Sequence, residues 1–157
     1  MLLYRIVPDI YVSNLSGRGA SFKDGARWNE AGQPVLYFAL SPSVAMLEMA
    51  NYFPLPRLIP KNRVLAIYSI KDSPPSSELS VNDLPDNWDS YPHPESTQKI
   101  GADWLRSSNE LYLKVPSVAI PEGLESIVVV NPLHADIAKL THIDTKREFF
   151  NKRVFTS

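Results

Sequence analysis

Apolar positions in this chain come in short, unbroken runs separated by polar stretches rich in proline and glycine. Residues 2–7, 33–40, 63–70, 110–115 and 125–131 are each four to eight residues long or close to it, and are enriched in β-branched and aromatic side chains. Runs of this kind predict strands. The clearest is 125–131 (E-S-I-V-V-V-N), ended by Pro132. Residues 117–120 extend the fourth run past Pro116. Two segments predict helices. Ser41 stands where an N-cap belongs, with Pro42 at the first helical position. That helix ends at or before Phe53, because Pro54 disfavours helical geometry in the residue before it. Residues 96–105 predict a second helix, capped by Ser96 or Thr97 and weakened by Gly101. The connections are a glycine-bearing loop at 13–25, a proline-punctuated connector at 52–60 and a surface excursion at 73–94. The excursion has five prolines and one large apolar anchor, Trp88. Residues 146–155 alternate basic and aromatic side chains and read as a last strand or an extended tail. Strands and helices do not alternate as βαβα, so the expected fold class is α+β: a mixed, partly antiparallel, curved β-sheet with short flanking helices.

Length and composition narrow this reading. The chain has 157 residues, which implies a single domain over 1–157. A formal net charge of −1 gives no general drive toward nucleic acid or anionic membrane. No basic recognition helix is visible, so direct DNA binding is not expected. Cysteine is absent, which excludes disulfides, thiolate nucleophiles and Cys-ligated zinc. His93, His134 and His142 lack metal-ligand spacing, so no metal is expected. With neither a signal-peptide pattern nor a membrane-spanning run, the expected location is cytoplasmic.

One residue breaks the pattern. Between Glu30 and Arg57 the only charged residue is Glu48, within S-P-S-V-A-M-L-E-M-A-N-Y-F. On a helix it shares a face with Val44, Ala45 and Tyr52. An ionised carboxylate in apolar surroundings is unfavourable unless paired or hydrogen-bonded. Either Glu48 has a buried partner such as Arg27, or it lines a cleft and does chemistry there. Upstream, Gly25-Ala26-Arg27-Trp28-Asn29 is a loop with a permissive glycine, a forked cation and an aromatic plane. Gly17-Arg18-Gly19 has the freedom to wrap a phosphate, yet neither a P-loop nor a dinucleotide fingerprint surrounds it, so it reads as a turn.

The motifs together resemble the RES-domain toxins of bacterial toxin–antitoxin pairs. The resemblance rests on Tyr4-Arg5, Gly25-Ala26-Arg27-Trp28-Asn29, Gly32-Gln33-Pro34-Val35-Leu36-Tyr37, the Glu48 helix, Gly101-Ala102-Asp103-Trp104-Leu105, Val115-Pro116-Ser117 and Asn131-Pro132-Leu133-His134, in family order over nearly the whole chain. The family's named arginine, glutamate and serine fall on Arg27, Glu48 and Ser117. Tyr37 matches a pocket tyrosine, and Arg5 a basic residue near the nucleotide. Gly25, Trp28 and Asn29 fall in the same nucleotide-binding loop. Ala26 stands where the family usually has a second glycine, and Phe150-Asn151-Lys152-Arg153 where many members have Asp-Pro-Arg.

The resemblance implies an ADP-ribosyltransferase-like fold and NAD as substrate. Members break the nicotinamide–ribose bond by hydrolysis or phosphorolysis, and some are described as ADP-ribosylating proteins. It also implies a cognate Xre-type helix-turn-helix antitoxin covering the active site, and a homodimer within a toxin–antitoxin complex. The residue types suit the chemistry. Nicotinamide leaves as a neutral ring, so no strong acid is needed, and the ribose gains oxocarbenium character. A carboxylate such as Glu48 stabilises that charge, more strongly where water is scarce. Arg27 offers a bidentate fork for a pyrophosphate or phosphate, or else pairs with Glu48 or Asp24. Tyr37 and Trp28 either stack on the ligand or pack in the core. Ser117 either hydrogen-bonds Arg27, Glu48 or the ligand, or bonds only to backbone. A reading of a different class is a catalytically silent module that binds its antitoxin through the aromatic–basic C-terminus.

Overall fold

A computed structural model describes residues 1–151 and 153. Its elements run in the order β1 (Leu2–Pro8), α1 (Ala20–Asp24), β2 (Leu36–Ala39), α2 (Pro42–Ala50), β3 (Arg63–Ile70), β4 (Ser76–Glu78), α3 (Glu95–Ser107), β5 (Tyr112–Pro116), β6 (Ser126–Val130) and β7 (Leu140–Lys146). The strands form one seven-stranded sheet in the order β4-β5-β6-β2-β1-β3-β7. The β4–β5 pair is parallel and the other pairs are antiparallel, so the expected mixed α+β architecture is the one the chain forms.

The sheet is covered on both faces, and alternation along each strand decides which side chains go where. On one face Leu3, Phe38, Tyr68, Val128 and Val130 pack under the loop residues Val12 and Leu15 and under Ile137. The other face carries Tyr4, Ile6, Ala39 and Leu65 under α2. Beside them Tyr37, Leu113, Val115 and Val129 pack under Trp28 and α3. Val44 of α2 is fully buried, worth about 1.5–3 kcal/mol of hydrophobic stabilisation.

The start of α2 is where local chemistry predicts it. Ser41 Oγ accepts from Val44 N at 3.2 Å, and proline fills the first position. The start of α3 is not. The helix begins at Glu95 behind Pro94, with no side-chain cap, and Thr97 Oγ1 donates back to Pro94 O at 3.1 Å. Gly101, a weak helix former, is required by packing: a Cβ there would lie 2.0 Å from Trp28 O.

Other boundaries shift as well. The central strand contracts to four residues, because Gln33 N donates to Glu30 O, Pro34 has no N–H and Val35 N donates to Gly17 O, so none of the three extends the ladder. Past Pro116 the chain turns, and Ser117 N donates to Glu125 O at 2.8 Å. The 13–25 loop contains the one-turn α1, and Gly17 O accepts from Val35 N at 3.0 Å, packing the turn beneath β2. The 73–94 excursion supplies an edge strand, β4, and buries Trp88 to 6% exposure. The last strand, β7, lies upstream of the expected 146–155, and residues 152, 154 and 155 of that segment fall outside the described residues. Among the described residues no helix is long and apolar enough to cross a membrane.

Candidate active site

Four elements meet on the α2 face of the sheet. Glu48 projects from α2, and Ser117 follows β5 directly. Tyr37 projects from β2, and Arg27 comes from the loop after α1. The half-buried Glu48 accepts from Ser117 Oγ through Oε1 at 2.6 Å. Ser117 is fully buried, and its Oγ in turn accepts from Ala119 N at 3.2 Å. Burial pushes the Glu48 carboxyl above the ordinary carboxylate range, opposed by the Ser117 bond, the positive charge of Arg27 and the Asn51 side chain.

Arg27 does not pair with Glu48 or with Asp24. The ion pairs among the described residues lie elsewhere on the molecule. Its guanidinium donates instead to two backbone carbonyls, Trp88 O through Nη1 and Ser90 O through Nη2, the latter at 2.9 Å. Burial lowers its pKa from the ordinary arginine value, while Glu48 and Asp89 act in the opposite sense. The carboxylate and guanidinium thus lie close enough to feel each other's field without contact. Tyr52, one helical turn beyond Glu48, stands exposed at the edge of the same group and interacts electrostatically with Glu48 and Arg27.

The Arg27 loop is held from below. Gly25 takes a left-handed φ of 74°, and Ala26 and Asn29 close the turn through Ala26 N to Asn29 O at 3.0 Å. Gln98 of α3 donates to Asn29 O at 3.0 Å and Ala26 O at 3.4 Å. Trp28 and Asn29, expected to contact the nucleotide, are 1% and 0% exposed and serve as struts. Trp28 packs with Val35, Leu113, Val115 and Val129. Asn29 Nδ2 donates to Ser21 O at 2.8 Å and Glu30 O at 2.9 Å, and its Oδ1 accepts from Tyr37 Oη at 2.7 Å. The Tyr37 hydroxyl is therefore committed to the loop, and burial keeps it protonated far above its ordinary range.

Arg5 is not part of this group. It alternates with Tyr4 and Ile6 on β1 and so points to the opposite face of the sheet. There its guanidinium lies 5.3 Å from the Phe38 ring centre and 5.4 Å from that of Tyr68, and donates to Tyr68 Oη at 3.2 Å. Sequence reasoning missed Gln98 and the carbonyls of Trp88 and Ser90. Trp88 stood out as an isolated aromatic, but a backbone acceptor has no signature in the sequence. Two surface hollows, of about 340 and 310 Å³, are lined respectively by residues near Trp88 and by residues around Pro34 and Leu105, and Arg27, Tyr37, Glu48 and Ser117 line neither. Among the described residues no group of three His, Asp or Glu side chains converges as a metal site.

Comparison with known proteins places the chain in a family and agrees with its fold. A protein named Toxin Res from Yersinia enterocolitica is 38% identical over 135 residues, covering 85% of this chain and 86% of that protein. Another Toxin Res, from Photorhabdus laumondii, is 32% identical over 152 residues, covering 95% and 93%. A Prs ADP-ribosylating toxin from Sphingobium is 32% identical over 143 residues, covering 90% and 86%. In fold, the chain matches one in the crystal structure of the M. tuberculosis MbcT–MbcA toxin–antitoxin complex, with a TM-score of 0.68 at 19% identity over 92% of this chain and 81% of that one. The sequence pattern described as the RES domain matches residues 2–150, and the chain belongs to that family.

Proposed function

We propose that this RES-domain protein is the toxin of a bacterial toxin–antitoxin pair and consumes NAD by breaking its nicotinamide–ribose bond. The observation that carries the reading is the state of Glu48: half-buried, bonded by Ser117, near Arg27 but not neutralised by it. A carboxylate so held has charge available for a cation that forms only during the reaction.

In this mechanism the C–N bond electrons leave with nicotinamide, which departs neutral. The ribose C1 becomes cationic, and Glu48 stabilises it. Water then attacks C1 and gives up its proton to Glu48 or solvent, yielding ADP-ribose. A phosphate dianion attacking in place of water yields the 1″-phosphate. The N–H groups of Arg27 not directed at Trp88 O and Ser90 O bind pyrophosphate or the incoming phosphate. Tyr37 contributes its ring as a wall of the site.

A second reading keeps the same bond cleavage and gives ADP-ribose to a protein. It is favoured by the Sphingobium relative, whose name describes an ADP-ribosylating toxin. That the MbcT–MbcA structure is a toxin–antitoxin complex supports an antitoxin as partner; in this proposal the partner is an Xre-type helix-turn-helix protein that holds a toxin homodimer in the cytoplasm.

The test is to incubate purified protein with NAD, with and without phosphate, and separate the products by chromatography. Release of nicotinamide with ADP-ribose or its 1″-phosphate supports the first reading, and label moving from NAD onto a protein band in lysate supports the second. In either case Glu48→Gln lowers the rate by about 10²–10³-fold. NAD untouched by the wild type rejects both readings, and undiminished turnover in Glu48→Gln rejects the role given to Glu48.

A further inference from the structure

Arg27 and Glu48 are opposite charges that attract each other in a partly desolvated site, yet no ion pair joins them. Something holds them apart. The guanidinium is gripped by Trp88 O and Ser90 O, both carried on one short arm. The arm is itself hydrogen-bonded. Trp88 N donates to Pro85 O and Ser90 N to Asn87 O, each at 3.0 Å, forming two successive turns. Its anchor is the buried Trp88 side chain, at 6% exposure. The anchor sits where the β5 exit also converges: a Cβ on Gly123 would lie 2.8 Å from Pro116 Cβ, 2.8 Å from Val81 Cγ2 and 3.2 Å from Trp88 Cη2. Pro116 immediately precedes Ser117, the donor to Glu48. One packed corner therefore sets both the arginine and the serine.

We propose that Trp88 is a positioning residue: by burying its ring it holds the 88–90 carbonyls against Arg27, so that the guanidinium cannot collapse onto Glu48 and both charges stay open to an anionic, cation-forming ligand. The inference rests on Arg27 and Glu48 being the site, as argued above. It adds a role to a residue that contacts neither ligand nor reacting atoms. The groups facing Glu48 are Arg27 from the loop, Ser117 from the β5 exit, and Asn51 and Tyr52 beyond its own helix. Asp89 on the arm faces Arg27. Although Tyr52 as a whole is exposed, desolvation around its hydroxyl and then the negative charge of Glu48 raise the phenol, so it stays neutral while the carboxyl titrates. Among these, the change released by loosening the arm is the approach of Arg27.

The test reads the Glu48 carboxyl directly, by ¹³C NMR titration of glutamate-labelled protein without substrate, the signal being assigned with Glu48→Gln. Trp88→Ala is expected to lower the Glu48 midpoint by about one unit, the size of effect a newly adjacent arginine exerts on a carboxylate. In an Arg27→Met background the same Trp88→Ala change is expected to leave the midpoint where Arg27→Met alone puts it. An unmoved midpoint in Trp88→Ala, or an equal fall with Arg27 already removed, overturns the proposal. If Trp88→Ala does not fold, Arg27→Lys decides in its place. It keeps the charge but cannot fork across two carbonyls, so a lowered midpoint supports the arm's role and an unmoved one refutes it. Because no NAD is used, the outcome is separate from the turnover test: a wild type inert toward NAD rejects the proposed function and leaves this titration to be judged alone.

Discussion

Ser117 Oγ donates to Glu48 Oε1 at 2.6 Å across 69 residues of chain. A donor to the charged form of a carboxyl favours ionisation, and here it opposes the burial that disfavours it. Removing it with Ser117→Ala raises the Glu48 pKa. If ionised Glu48 is the working form, the acidic limb of kcat/KM for NAD moves to higher pH in that variant, while the alkaline side stays in place. A pH profile of NAD consumption checks this, and an unmoved acidic limb counts against the assignment.

Glu48 itself should weaken the fold at neutral pH. Its carboxyl titrates above the ordinary range when folded, so between the unfolded and folded values the folded chain binds more protons. Stability therefore falls as pH rises through that window, and the penalty is complete above it. Glu48→Gln keeps the acceptor for Ser117 and removes the charge. At neutral pH its Tm is expected to exceed that of wild type. The gain should vanish at pH values below the ordinary carboxylate range, where Glu48 is neutral in both states. Thermal unfolding at the two pH values measures it.

Tyr37 is expected to matter through its hydroxyl for stability and through its ring for the site. Tyr37→Phe leaves Asn29 Oδ1, in a fully buried residue, without its donor. The expected loss is about 1–3 kcal/mol of unfolding free energy, measured by urea titration. Because burial keeps the phenol protonated, the pH profile of NAD turnover should keep its shape in this variant.

Gly101→Ala sets helix propensity against packing. Alanine is favoured over glycine within a helix by about 1 kcal/mol. The new Cβ would sit 2.0 Å from Trp28 O, so α3 or the Arg27 loop must shift. Overpacking of this kind is expected to outweigh the propensity and destabilise the protein by about 1–3 kcal/mol. A variant more stable than wild type would show that α3 and Trp28 are not in close contact.

Much of the frame was legible from local pattern. The runs at 2–7 and 63–70 became β1 and β3 nearly residue for residue, and Ser41-Pro42 starts α2, because strand pattern and helix capping depend on neighbours a few residues away. The 140–146 strand was not legible. It is an edge strand with a weak apolar pattern, and it exists through its pairing with β3. The helix start at Glu95 was misread because neither Ser96 nor Thr97 supplies the cap.

The sequence by itself determined that a lone carboxylate sits in an apolar helix one turn before Tyr52, and that an arginine loop, a strand tyrosine and a post-proline serine accompany it. Tertiary structure alone decided how they meet. It put Ser117 on Glu48, Arg27 on two backbone carbonyls, Trp28 and Asn29 inside the protein, and Arg5 on the far side of the sheet. The physical reason is range. A side chain's identity and its local periodicity are written in adjacent residues, whereas a hydrogen bond from a guanidinium to a carbonyl 61 positions away depends on how the whole sheet is ordered and on which face each strand turns inward.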